Sequence, residues 1–129
     1  MGVIDKAGIL AAQDIRTEDV AVPEWGGSVR VRELSAADLV GFWDACRDAE
    51  GKLIPDRVQP ALLVRAVVGD DGAPLFTAAD VDDLMRKSAR NIGLLFEAAQ
   101  KVNGIGQDAE VIAKNSAAAP SGALLSDSA

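Results

Sequence analysis

Apolar and polar residues alternate with period two in two short stretches near the start of the chain. Val20 and Val22 alternate with Asp19 and Ala21, and Val29 and Val31 alternate with Ser28, Arg30 and Arg32. That period gives an extended strand one apolar and one wet face. Between the stretches lies Pro23-Glu24-Trp25-Gly26-Gly27. Proline fixes φ and paired glycines permit positive φ, so the segment from Asp14 to Leu34 is predicted to be a β-hairpin. A lone two-stranded hairpin is marginal in water. It must therefore pack on helices formed elsewhere in the chain.

Helical spacing takes over at Ser35. This serine is a predicted N-cap, and Asp38 three residues on places negative charge in the first turn. Ala36, Leu39, Val40, Trp43 and Cys46 recur on one face, with Phe42 beside them. The helix is expected to stop near Gly51, and residues 52 to 57 form a connector containing Pro55. From Ala61 to Val68 only Arg65 is polar, a run that fits a buried strand or a buried helix. Asp56 as a cap, Gln59 at the capping-box position and Pro60 in the first turn favour a helix, ended by Gly69-Asp70-Asp71-Gly72.

A third helix opens at Thr77 and is predicted to run unbroken to Gly104, about 26 residues or roughly 39 Å. Asp80, Asp82 and Asp83 precede Arg86, Lys87 and Arg90, the order that the helix dipole favours. Val81, Leu84, Met85, Ile92, Leu95, Phe96, Ala99 and Val102 fit a 3.6 period. A helix that long exceeds what a small core covers and leaves one end for a partner. The expected fold class is α+β, mostly helical: an N-terminal β-hairpin packed on three helices, with a disordered C-terminal tail. Residues 1–13 are read as an N-terminal segment with an Asp5-capped turn that Gly8 weakens. Residues 14–106 are read as a single α+β domain. Residues 107–129 are read as a mostly disordered tail, with a further helical turn expected within 105–116. From Ala117 onward the chain is Ala, Ser, Gly and Pro around one charge, Asp127, and only Leu124 and Leu125 could anchor it.

Composition narrows the function. The 129 residues suit one domain. A net charge of −7 argues against nucleic-acid binding and against an anionic membrane surface. No window reaches the apolar length of a membrane span, and no signal peptide is visible, so the cytoplasm is the expected location. Histidine is absent, which removes the commonest general base and the commonest metal ligand. Cys46 stands alone on an apolar helix face and reads as a buried structural thiol. Asp70, Asp71 and Gly72 lack the spacing and final glutamate of a calcium loop. Asp80, Asp82 and Asp83 read as helix-start charges, and Gly104-Ile105-Gly106 as a helix terminator rather than a dinucleotide fingerprint. No cofactor and no catalytic residue is expected. Trp25 has two readings: a packing anchor folded back on the helices, or a ring presented to a partner, as tryptophan often is at interface hot spots.

Three segments together resemble the tail assembly chaperones of long-tailed, non-contractile bacteriophages and related prophages. They are VPEWGGSVRVREL at 22–34 followed by SAADLVGFWDAC, GDDGAPLFTAADVDDLMRKS at 69–88, and VNGIGQDAEVIAKNS at 102–116. The resemblance covers roughly residues 10 to 116. It implies an assembly factor that binds the tape measure protein, a very long and largely helical chain, and keeps it soluble while tube subunits polymerise around it. It also implies release before the virion is complete. A longer form made by ribosomal frameshift would recruit the tail tube protein. Ala113-Lys114-Asn115 can be encoded by a slippery heptamer, so this chain would be the short, non-frameshifted form. Candidate partner-binding residues are Trp25, Leu84, Met85, Ile92, Leu95 and Phe96, the last five as one wall of a groove for an amphipathic helix. For each of them, filling the domain's own core is the competing reading. Two other classes stay open: a virion structural or head–tail joining protein, and a small acidic metal-dependent regulator or enzyme.

Overall fold

The computed structural model describes residues 2–105. A first helix, α1, spans Lys6–Ala11 and is capped by Asp5, whose side chain accepts the Gly8 N–H at 2.9 Å. Strands β1 (Thr17–Val22) and β2 (Gly27–Arg32) form the expected hairpin. They pair antiparallel, with Val20 opposite Val29 and Glu18 opposite Val31. Pro23–Trp25 makes one 3-10 turn at the tip, and Gly26 closes it at φ 83°, a left-handed conformation that favours glycine.

Helix α2 (Ala36–Ala45) starts as predicted, with Ser35 Oγ accepting the Asp38 N–H at 3.1 Å. It ends at Cys46, earlier than Gly51. The Cys46 carbonyl accepts the Ile54 N–H at 2.7 Å, and Arg47 bridges to Leu53. Asp48 Oδ1 then takes the N–H groups of Glu50 and Lys52, each at 2.9 Å, and folds 48–52 into a turn in place of a last helical turn.

Helix α3 (Val58–Ala66) follows a 3-10 turn at Pro55–Arg57. Asp56 lies inside that turn and does not cap; Arg57 holds the cap position with no side-chain hydrogen bond. The apolar run then changes conformation within itself. Val67–Val68 leaves the helix as strand β3 and pairs antiparallel with β2, Val31 opposite Val67 and Arg30 opposite Val68. The sheet therefore has three strands in the order β1-β2-β3, one more than the predicted hairpin.

The long third helix is also corrected. Thr77 and Asp80 form a reciprocal capping box around a 3-10 turn at Ala78–Asp80, leading into the short α4 (Val81–Leu84). The chain then breaks between Met85 and Ser88 and restarts as α5 (Ala89–Asn103). Ser88 has φ −51° and ψ 129°, outside the helical region, and its hydroxyl accepts the Asn91 N–H. Gly104, at φ 67°, ends α5 as predicted.

Two clusters of buried side chains hold these elements. Val22 and Val31 of the sheet meet Leu63, Val64 and Val67, together with Leu84, Ile92 and Leu95. Leu34, Phe42 and Cys46 meet Leu62, Ala66 and Ala99 in the second, which Ile105 also joins. Phe96 packs against both clusters. Helices α3 and α5 thus form the centre, with the sheet on one side and α2 on the other. The expected tail at 107–129 and the codon-derived positions Ala113, Lys114 and Asn115 lie outside the described residues.

Candidate partner-binding surface

The six sequence candidates separate by burial. Leu84, Ile92 and Leu95 are buried in the first core cluster and offer a partner nothing at the surface. Ridge positions 92 and 95 of α5 face the sheet and α3, so their 3.6-residue spacing serves the chain's own core. Met85 is different. The helix break lifts it out of the apolar stripe, and 37% of its surface is exposed. Phe96 is half-buried.

Met85 and Phe96 come together in a concavity of about 590 Å³, open to solvent, between the start of α3 and the α4–α5 break. Pro55, Asp56, Val58 and Gln59 complete its lining. A shallow apolar trough of this size between helices suits side chains of a docked helix. Pro55, Val58 and Gln59 carry no signal that sequence periodicity could register, since they sit at a loop–helix junction.

Trp25 lies apart from this trough. It ends the 3-10 turn at the hairpin tip with 38% of its surface exposed. Its neighbour Glu24 is what ties the tip to the helices: Glu24 Oε1 accepts from Asn91 Nδ2 at 2.8 Å. The packing role foreseen for the tryptophan thus belongs in part to the glutamate beside it.

A second apolar surface was not singled out from the sequence. Helix α1 buries none of its residues. Ile9 and Leu10 are 60% and 74% exposed, and Val3, Ile4 and Ile15 are exposed with them. A six-residue helix is marginal in water on its own, and this one leaves its apolar side chains in solvent. The signal was present in Val3, Ile4, Ile9, Leu10 and Ile15, within the first 15 positions. The arm leads into β1, whose outer edge has no strand beside it among the described residues.

The remaining chemistry is structural. Arg30 and Asp19 form a two-pronged ion pair across the hairpin at 2.8 and 3.1 Å. That hydrogen bond holds the Asp19 carboxyl below its ordinary range. Cys46 is fully buried, and burial raises its thiol above the ordinary value, with Arg65, Arg47 and Arg57 pulling the other way. Among the described residues no group of three or more His, Cys, Asp or Glu is placed to hold a metal ion. No helix among them is long and apolar enough to cross a membrane.

A family model described as phage tail assembly chaperone matches residues 6–115. The chain belongs to that family. The fold of this tail assembly chaperone is similar to the solved structure of the bacteriophage HK97 tail assembly chaperone, with a TM-score of 0.51 at 20% sequence identity. The match covers 73% of this chaperone and 88% of the HK97 chain. No curated protein matches the chain.

Proposed function

We propose that this tail assembly chaperone binds the tape measure protein, keeps it soluble and helps to recruit tail tube subunits while the tail is built. The observation that carries the reading is exposed apolar surface on an acidic body of the right family. The arm, the Met85–Phe96 trough and Trp25 each present side chains that a monomer on its own would gain by covering, at about 25 cal/mol per Å² of apolar area. The charge of −7 keeps copies of the chain apart in the meantime.

The mechanism is reversible coverage. Apolar faces of a long helical client dock on the arm and the trough, and so do not find one another. Leu84, Ile92 and Leu95 hold α4 and α5 in place beneath that surface. Tube subunits are recruited through a longer, frameshifted form, and the body described here holds the client. The reading places the chain in the host bacterial cytoplasm and leaves it out of the mature virion.

Co-expression with the long helical client is the direct test. The client is expected in the soluble fraction with this chain and in the pellet without it. A client equally soluble in both cases defeats the proposal. Recovery of the chain as a stoichiometric component of purified particles favours a virion structural protein instead.

A further inference from the structure

The trough between α3 and the α4–α5 break carries one ionisable side chain in its lining, and that side chain is acidic. Asp56 is exposed and enters no hydrogen bond or ion pair among the described residues. The cation next to it in sequence is turned away, since Arg57 Nη1 donates to the Arg47 carbonyl at 3.0 Å. The apolar floor of Val58, Met85 and Phe96 thus has a carboxylate at its edge, Asp56, with no ion pair among the described residues.

We infer that the trough selects a basic amphipathic helix: one whose apolar stripe enters between Val58, Met85 and Phe96 while a lysine or arginine beside the stripe meets Asp56. The inference rests on the client-holding function proposed above and names the chemistry of the client segment that this one site takes. An acidic or neutral segment of the same apolar pattern gains the floor contacts but leaves Asp56 facing a like charge or none. Segment choice along a long client then follows charge as well as hydrophobicity.

Fluorescence anisotropy with three labelled synthetic helices of about 18 residues, or five turns, tests it on the full chain. The helices share one apolar stripe and differ only in flanking residues, which are lysine, glutamine or glutamate. The lysine helix is expected to bind roughly three- to tenfold more tightly than the glutamate helix, since exposed ion pairs of this kind change affinity by a few fold. The preference should shrink at about 0.5 M salt, where screening is short-ranged. Asp56→Lys should reverse the order, and Met85→Asp should weaken all three helices. Equal affinities for the three helices overturn the inference, as does an order unchanged by Asp56→Lys or binding unaffected by Met85→Asp. If these variants still keep the full client soluble in co-expression, the chaperone function stands and the trough is not its charge-selective site.

Discussion

Asn91 Nδ2 donates a 2.8 Å hydrogen bond to Glu24 Oε1, joining residues 67 positions apart. Asn91 is a buried polar side chain, 4% exposed, in the first turn of α5. That first turn contains no acidic residue of its own. Glu24 supplies one from the hairpin tip, where a carboxylate opposes the positive end of the helix dipole. The bond therefore fixes the sheet's far end against the helix that forms the centre of the core.

Breaking this bond from either side leaves a buried polar group without its partner, which costs about 1–3 kcal/mol. Asn91→Ala is expected to lower stability by about that amount, and Glu24→Ala by a similar amount because the Asn91 amide stays buried. Urea denaturation of both variants checks this, with an unchanged slope against denaturant. The double variant should cost less than the sum of the two singles. Strict additivity would show that the contact contributes nothing.

A second polar clamp closes the other end of α5. Asn103 Oδ1 accepts the Leu34 N–H at 2.7 Å, and its Nδ2 donates to the carbonyls of Arg32 at 3.2 Å and Ala99 at 2.9 Å. Asn103→Leu fills similar space but strands the Leu34 N–H as the chain passes from β2 to α2. It should destabilise by about 1–3 kcal/mol and speed hydrogen exchange at Leu34 and in β2 before it does so in α3. Uniform exchange throughout would contradict a local clamp.

Both clamps involve asparagines and loop residues, and periodicity is blind to such contacts. What the sequence does carry is clear in particular places. The alternation at Val20, Val22, Val29 and Val31 marks the hairpin and its inward face. The caps at Ser35 and Thr77 and the stop at Gly104 are local chemistry, and they stand where the residues put them. Strand β3 is hidden because Val67 and Val68 continue an apolar run that is buried in helix and strand alike, so the run has no period to break. The break before α5 does leave a trace. Arg86 to Asn91 contains no large apolar residue, nearly two turns in which a continuous helix would have shown the core nothing. Ser88, read as a helix-interior residue, is in fact the cap. For the candidate surface the outcome divides the same way. A 3.6 period identifies the face of α5 that is apolar, but whether that face meets its own core or a partner depends on tertiary packing. Leu84, Ile92 and Leu95 are buried in the core, while Met85, at the start of the four-residue break, stays partly exposed.

The arm separates function from stability. Because α1 buries no residue, removing residues 2–12 or introducing Ile9→Asp with Leu10→Asp should change unfolding free energy by no more than about 0.5 kcal/mol. The same variants are expected to lower the soluble fraction of co-expressed client severalfold. A large loss of stability would show that the arm packs on the body, and full client solubility would remove it from the binding surface.

The thiol of Cys46 gives a pH prediction whose sign follows from burial. Desolvation raises it above its ordinary value of 9.0, and the folded state therefore holds the proton more tightly than the unfolded chain. A raised value in the folded state means a contribution that is fully present below the unfolded value. It is lost as pH rises from there through the folded value. Stability should accordingly decline above about pH 9 in the native chain and decline less in Cys46→Ala, once each is compared with its own value at pH 7. The absence of tyrosine keeps that window free of phenol titration. Alkylation offers an independent reading. Iodoacetamide at pH 8 should label the native thiol at a rate set by unfolding, and label it freely in urea, because the thiolate is both scarce and inaccessible in the fold. Rapid stoichiometric labelling of the native chain would mean that α2 opens readily from α3 and that the second core cluster is not the fixed support described above.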